Sequence, residues 1–298
     1  MLAIIIPYYK LTFFKATLQS LANQIDQRFK VYIGNDASPE NPLELLQNFQ
    51  DKFDFQYKEF DTNLGSISLV KQWERCIEMI DNEDWIMILG DDDVLSDNFV
   101  FNFYNNFDNF DKKKISVVRM ATYRIDNFGN KISKIYFHPK IEKSSDFIFR
   151  KSRSSLSEYV FKINKINEIK FKNFPLAWFS DILGVLEFSD FGNVYSINNA
   201  FVKIRISNQS ISGQTTNSSL KEKANFMFYE YLINKKINLF SESQKNLIFE
   251  KMNLRFNNDK RNFNVFLKIN IIYIKIGSIL GLLNFYKSIV ESLINKYK

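Results

Sequence analysis

Four times in its first hundred residues, this chain passes between a short apolar run and a segment of helical periodicity. Leu2-Ala3-Ile4-Ile5-Ile6 is continuous, β-branched and stopped by Pro7, which suits a strand buried on both faces. Thr12 precedes a segment, residues 13–22, whose apolar side chains recur at helical spacing. Residues 29–34 form a second strand, ending in Asn35-Asp36-Ala37-Ser38-Pro39. Asn41-Pro42 opens another helix, with Asn at the cap and Pro at the first helical position. Residues 53–60 alternate as a third strand and run into Asp61-Thr62-Asn63-Leu64-Gly65. A helix over about 66–80 leads to the fourth strand, which starts at Trp85. Such alternation demands a parallel sheet with helices on both faces, a Rossmann-like α/β domain.

Ligands bind such sheets at the C-terminal ends of the strands. Pro7-Tyr8-Tyr9, Asp36, Asn63 to Gly65 and Asp91 to Asp93 all fall there, so four polar signals share one edge. The last is the sharpest: Trp85-Ile86-Met87-Ile88-Leu89-Gly90 ends in Asp91-Asp92-Asp93. Adjacent carboxylates repel and disfavour strand structure, so local folding preference does not explain them. Held together at a strand end, they offer hard oxygen ligands for Mg2+ or Mn2+ carrying a diphosphate. The competing reading is a charged turn before the next helix, with Ser96 as its cap. The turn after the first strand lacks the glycines of a dinucleotide site, and no Gly-x4-Gly-Lys loop is present. A calcium loop of the helical-hairpin type is excluded too, because the glycine precedes the acids and no Glu stands at its twelfth place.

Composition narrows the chemistry. With 298 residues, 45% hydrophobic and 16% aromatic, the chain fills one large domain with an appendage, or two. Its single cysteine, Cys76, rules out an internal disulfide and a Cys-rich zinc site and fits a reducing cytoplasm. His138 is the only histidine and lies in a polar stretch before Pro139, which leaves carboxylates as the acid–base groups. The net charge of +7 suits an anionic partner. Acids and bases are interspersed without a basic stripe, so nucleic acid is not expected. No basic segment precedes the first apolar run, so no signal peptide is expected, and no apolar run approaches the roughly 18 residues of a membrane span.

Beyond residue 115 the rhythm changes. Residues 117–123 read as a strand, Asp126-Asn127-Phe128-Gly129-Asn130 as a turn, and 131–137 as an antiparallel return. Residues 146–173 look helical. Asp181 then stands among Trp178, Phe179 and other large apolar residues before a helix over 182–190. Residues 194–197 and 200–207 are strand-like. Residues 208–219 are rich in Ser, Thr, Asn and Gln and suit a lid or a boundary. The expected division is 1–215, with halves 1–115 and 116–215, followed by a helical region over 216–298. The final helices mix Ile and Leu with Lys268, Lys275, Lys287, Lys296 and Lys298. They either pack on the protein or lie on an anionic membrane.

Assembled, these positions resemble the family 2 glycosyltransferases over about residues 1 to 210. The likeness rests on Ile4-Ile5-Ile6-Pro7-Tyr8-Tyr9, Gly34-Asn35-Asp36-Ala37-Ser38, Asn63-Leu64-Gly65, Leu89 to Leu95, Ser180-Asp181 and Arg205. It implies the A-type glycosyltransferase fold and inverting, metal-dependent transfer from a nucleotide diphosphate sugar, with Mn2+ or Mg2+ as cofactor. Pro7 and Tyr8 match the segment bordering the base, and Asp36 the acid that binds uracil in members using UDP-sugars. Asn63 and Gly65 belong to the same donor site. The family's Asp-x-Asp, aligned on Leu89 and Leu95, falls on Gly90 and Asp92, with the further Asp on Asp93. Asp92 is the leading metal ligand, Asp93 a second ligand or a support, and Asp91 takes the missing acid's role towards the ribose. The register admits a shift of one, so all three are candidates.

Asp181 matches the catalytic base, usually written Glu-Asp and here Ser180-Asp181. Burial beside Trp178 and Phe179 would raise its proton affinity. Its alternative role is to cap the helix that follows. Arg205 stands where the family has an Arg followed by His, but here Ser207 is nearest, which leaves a diphosphate contact or a surface ion pair. The family's Ala-Arg-Asn is absent as well. Lys71-Gln72-Trp73 occupies that region, with Trp73 read as core.

The resemblance implies a cytoplasmic transferase, peripheral on the inner membrane face, that adds a sugar to a glycan or lipid-linked acceptor in surface polysaccharide assembly. The alternatives are a metal-dependent nucleotidyltransferase and a degenerate module that binds nucleotide or glycan.

Overall fold

The computed structural model describes residues 1–150, 154–207, 217–258 and 262–294. The chain separates into two compact units, residues 1–217 and 218–298. Residues 208–216, which hold most of the polar segment expected as a lid or boundary, lie outside the described residues.

The first unit begins with the expected alternation: β1 (Leu2–Tyr8), α1 (Phe14–Ala22), β2 (Phe29–Asn35), α2 (Leu43–Gln47), β3 (Phe55–Glu59), α3 (Leu69–Ile77) and β4 (Trp85–Ile88). β1 pairs in parallel with β2 and β4, and β2 with β3. Alternation along β1 fills both sides of the sheet. Leu2, Ile4, Ile6 and Tyr8 join one buried cluster, and Ala3 and Ile5 join the other. Trp85 anchors the first cluster, with Phe103, Phe107 and Phe110 packed edge-on to its ring. α3 starts at a true cap, since Ser68 accepts a hydrogen bond from the Lys71 N–H. At α2 the Asn41 side chain accepts the N–H of Leu43, one residue beyond Pro42.

After β4 the pattern is β5 (Val94–Leu95), α4 (Phe99–Asn105), α5 (Phe107–Asp111), β6 (Val117–Ile125), β7 (Ile141–Lys143), α6 (Ser144–Phe147), β8 (Tyr159–Lys162), α7 (Ile163–Ile169), α8 (Ser180–Phe188) and β9 (Asn193–Arg205). The sheet runs β3-β2-β1-β4-β8-β6-β9-β5, with β7 beside β9. β8 is antiparallel to both of its neighbours, so the sheet is mixed.

Three local expectations fail here. The expected helix over 146–173 contains β8, because Tyr159-Val160-Phe161 fills the gap between β4 and β6. The expected return strand over 131–137 supplies only isolated bridges, Thr122 to Tyr136 and Ile125 to Lys131. The two strand-like pieces before residue 208 are one strand, β9, whose pairing with β6 shifts register between Met120 and Ala121.

The second unit is helical: α9 (Ser218–Tyr231), α10 (Glu242–Asn258), α11 (Phe263–Lys275) and α12 (Ile279–Ile294). Aromatic side chains hold the last three together. Phe249 stacks on Tyr273, and Phe285 meets Phe256, Phe266 and Tyr273. Among the described residues no helix is long and apolar enough to cross a membrane.

Candidate active site

The C-terminal ends of β1, β2 and β4 open into a cavity of about 480 Å³. Pro7, Asp36, Asn63, Gly65, Asp91 and Asp92 all line it, so four separate stretches of sequence converge. A second cavity of about 450 Å³ is lined by Asp92, Asp93, Trp178, Phe179, Asp181 and Arg205. Leu69, Trp73, Asp92 and Leu156 border both. Trp73 is mostly buried, edge-on to Phe171, yet its remaining surface faces both cavities.

Of the β1 residues expected at the site, Pro7 lines the first cavity and Tyr8 does not. Strand alternation sends Tyr8 to the side of Ile4 and Ile6, where its ring packs against Phe14 and its hydroxyl donates to the Glu40 carbonyl. Tyr9, one residue later, takes the place at the cavity.

Asp36 is buried and holds the neighbouring loop. One carboxylate oxygen accepts the Leu64 N–H at 2.7 Å and the other the Gly65 N–H at 2.8 Å. Arg75 on α3 pairs with the first oxygen and also donates to the Thr62 carbonyl, with its guanidinium over the Phe60 ring. Burial pushes the Asp36 carboxyl up, against the lowering effect of those N–H groups and of Arg75. A Cβ at Gly65 would lie 2.4 Å from the Asp36 carboxylate, so the close approach requires glycine. Asn63 closes the loop by accepting the Ser66 N–H. Arg75 carries no sequence motif, and its one mark in the sequence is a cation on the helix that follows the Asn63-Leu64-Gly65 segment.

The three aspartates divide in role. Asp91 turns back on β1, accepting the N–H groups of Tyr9 and Lys10, both at 2.8 Å. Asp93 accepts the Arg205 N–H at 2.9 Å, and Arg205 Nε donates to the Asp92 carbonyl at 3.0 Å. Thr17 on α1 donates to the carbonyls of Asp91 and Asp93, a support that nothing in the sequence marks. Burial, with Asp92 beside it, pushes the Asp91 carboxyl up to about 6. Burial, with Asp93 beside it, pushes Asp92 up to about 7.

Gly90 matters because a Cβ there would lie 3.0 Å from one Asp92 oxygen and 3.3 Å from one Asp93 oxygen. Two carboxylates therefore fold in over the position where the family pattern has an acid. No group of three acids, histidines or cysteines suited to a metal occurs among the described residues. The two carboxylates that lie nearest the Gly90 position are those of Asp92 and Asp93. That fits Mg2+ or Mn2+, which take one or two carboxylates and fill their shell with phosphate oxygens and water.

Arg205 is buried and lines the second cavity, so it is not a surface ion pair. Its Nη1 donates to the Asp126 carbonyl at 2.6 Å, and its guanidinium lies over the Phe13 ring. Asp181 sits in the first turn of α8, which begins at Ser180, so the cap position belongs to Phe179. The approach is strained: Leu176, Ala177 and Phe179 take φ of 57°, 51° and 70° without a glycine. Such conformations cost about 1–3 kcal/mol each and persist where surrounding structure enforces them. Here they bring Asp181 to the cavity that Asp92 also lines.

Residues 3–171 match the sequence profile of the family described as Glycosyl transferase family 2. No curated protein sequence matches the chain. Among solved structures, S. aureus TarS 1-349 in complex with UDP-GlcNAc aligns at a TM-score of 0.65 and 15% identity, over 88% of this chain and 74% of that one. The same TarS segment with UDP aligns at a TM-score of 0.61 and 14% identity, over 88% and 73%. At that identity the likeness carries the fold, a central sheet flanked by helices in the A-type arrangement.

Proposed function

The chain belongs to glycosyl transferase family 2, and from that premise we propose that it moves a sugar from a nucleotide diphosphate sugar, first of all a UDP-sugar, to an acceptor hydroxyl with inversion. The observation that carries this reading is the pair of cavities meeting at Asp92. The first takes the donor, with the base at the Asp36, Asn63 and Gly65 end and the diphosphate towards Asp91 and Asp92. The second takes a glycan or lipid-linked acceptor. The catalytic domain is 1–215, followed by the helical region 216–298.

The residues divide the work. Asp36 reads the base while Arg75 fixes its carboxylate. Asp91 holds the turn after β1 through two backbone N–H groups. Asp181 accepts the proton of the attacking acceptor hydroxyl as that oxygen bonds to the anomeric carbon and the diphosphate leaves from the opposite face. Trp73 and Trp178 offer apolar surface to the sugars and exclude water. Arg205 braces the Asp92–Asp93 turn. Asp92 and Asp93 would hold Mn2+ or Mg2+, which would neutralise charge on the departing diphosphate. The setting is surface polysaccharide assembly on the inner membrane face, with the C-terminal helices as the contact.

Thermal unfolding with UDP, GDP and CDP, each with and without Mn2+, tests the donor site. A ligand at a hundred times its dissociation constant adds about 2.7 kcal/mol, a rise of several degrees. The expected result is a UDP-selective, Mn2+-dependent rise that disappears in Asp92→Ala. No rise with any nucleotide would overturn the reading in favour of a degenerate module.

A further inference from the structure

The second unit exposes apolar side chains in a pattern. On α11, Phe263, Leu267, Ile271 and Ile274 recur every three or four residues and are all exposed. They form one stripe along the helix. The buried residues Ile269, Ile272 and Tyr273 belong to the other side. α12 repeats the arrangement: Ile279, Leu283, Val290 and Ile294 share a stripe, while Phe285 is buried in the aromatic cluster. Exposure reaches 69% at Ile274, 76% at Ile279 and 60% at Leu283. Each helix is thus apolar towards its neighbours and apolar again towards solvent.

The charge pattern names what covers these stripes. Residues 218–298 hold 14 Lys and Arg against 6 Asp and Glu, and residues 1–217 hold 26 against 27. The chain's net charge of +7 therefore belongs to its second unit. At 3.6 residues per turn, Lys268 and Lys275 flank the α11 stripe and Lys287 the α12 stripe, Lys268 also reaching Glu230 of α9 at 3.2 Å. α11 has no acid at all, and the one acid of α12, Glu291, lies 3.8 Å from Lys287. A second copy of this face would bring like charges together, whereas an anionic bilayer offers acyl chains to the stripes and phosphates to the lysines.

We propose that α11 and α12 lie in the interface of an anionic lipid bilayer, with the two apolar stripes in the acyl boundary and Lys268, Lys275 and Lys287 at the headgroups. This deepens the membrane part of the function proposed above and does not depend on nucleotide binding.

Flotation of the full chain with vesicles tests it. The chain should bind equimolar phosphatidylglycerol–phosphatidylcholine vesicles and bind pure phosphatidylcholine far less. Ile271→Asn with Leu283→Asn should cut binding about tenfold or more. Each of Lys275→Gln and Lys287→Gln should cut it about fivefold at low salt. Leu283→Trp adds a reporter to a unit without tryptophan, and its emission should shift to the blue on anionic vesicles. Circular dichroism and the UDP thermal shift should stay unchanged in every variant. Absence of binding by the folded chain would overturn the proposal, as would binding indifferent to the stripe variants. Self-association abolished by the same two Asn substitutions would also overturn it, assigning the face to a second copy. Failure of the UDP shift with intact vesicle binding would sink the transferase reading alone.

Discussion

The two units place apolar and charged side chains in opposite ways. In the first, both faces of the sheet are covered: Ile4 and Trp85 are buried on one side, Ile5 and Ile86 on the other. Its charges are nearly balanced, and several are used inside, as in Arg75 with Asp36 and Arg119 with Glu142. The second unit keeps a cationic surplus and shows Ile274, Ile279 and Leu280 to solvent. A sheet covered on both faces, with internal ion pairs, can hold a fixed reacting geometry. A basic helical pair with a bare apolar side suits attachment to a surface.

Substitutions can break that contrast or sharpen it. The largest expected effect is on turnover: Asp181→Asn should lower kcat by about 10²–10⁴ while the UDP thermal shift and vesicle binding remain. Loss of UDP binding instead would mean that Asp181 belongs to the donor cavity. Trp85→Ala should cost about 3–5 kcal/mol in denaturant unfolding, because the cavity left among three phenylalanines cannot collapse. Ile274→Ser, at the exposed stripe, should stay within about 0.5 kcal/mol. Equal costs would show that the second unit's outer face is covered in solution.

Arg75→Met should destabilise by about 3 kcal/mol, since it strands a buried carboxylate, and should weaken UDP binding through Asp36. Unchanged UDP binding would detach Asp36 from the base.

A last effect is on pH dependence. Burial, with Arg119 and Arg150 nearby, pushes the His138 imidazole down to about 3. Arg150 donates to its Nδ1 at 3.0 Å, which places the ring proton on Nε2 towards Glu158. The unfolded chain protonates this ring near about 6.5, so between the two values the unfolded state binds more protons. Stability should therefore fall as pH drops from about 6.5 towards 3, by at most ~1.4 kcal/mol per pH unit from this residue. Urea titrations at a series of pH values should show a shallower slope for His138→Gln, and an identical slope would mean that the native ring already carries a charge.

Much of the first hundred residues was legible because β1, β2 and β4 are apolar runs ended by a recognisable breaker and β3 alternates between them. The parallel core β1 to β4 follows directly from that pattern. β8 was not legible: its four residues lie within a stretch whose polar spacing looks helical, and only the gap between β4 and β6 makes them a strand. The site split in the same manner. Asp36, Asp92 and Asp181 line the cavities, but Tyr8 turned into the core while Tyr9 faced outward, a difference of one residue at the end of a strand.

The sequence by itself determined the strands and helices up to β4, the acids at the strand ends and the cationic surplus of residues 218–298, because periodicity, side-chain chemistry and charge are local properties. Tertiary structure alone decided how the three aspartates divide. Asp91 is tied to backbone N–H groups of the β1 turn, and Asp92 and Asp93 close over Gly90. It also decided that Arg75 meets Asp36 and that three left-handed residues aim Asp181. Those outcomes depend on contacts between segments far apart in the chain, and only packing brings such segments within reach of a hydrogen bond.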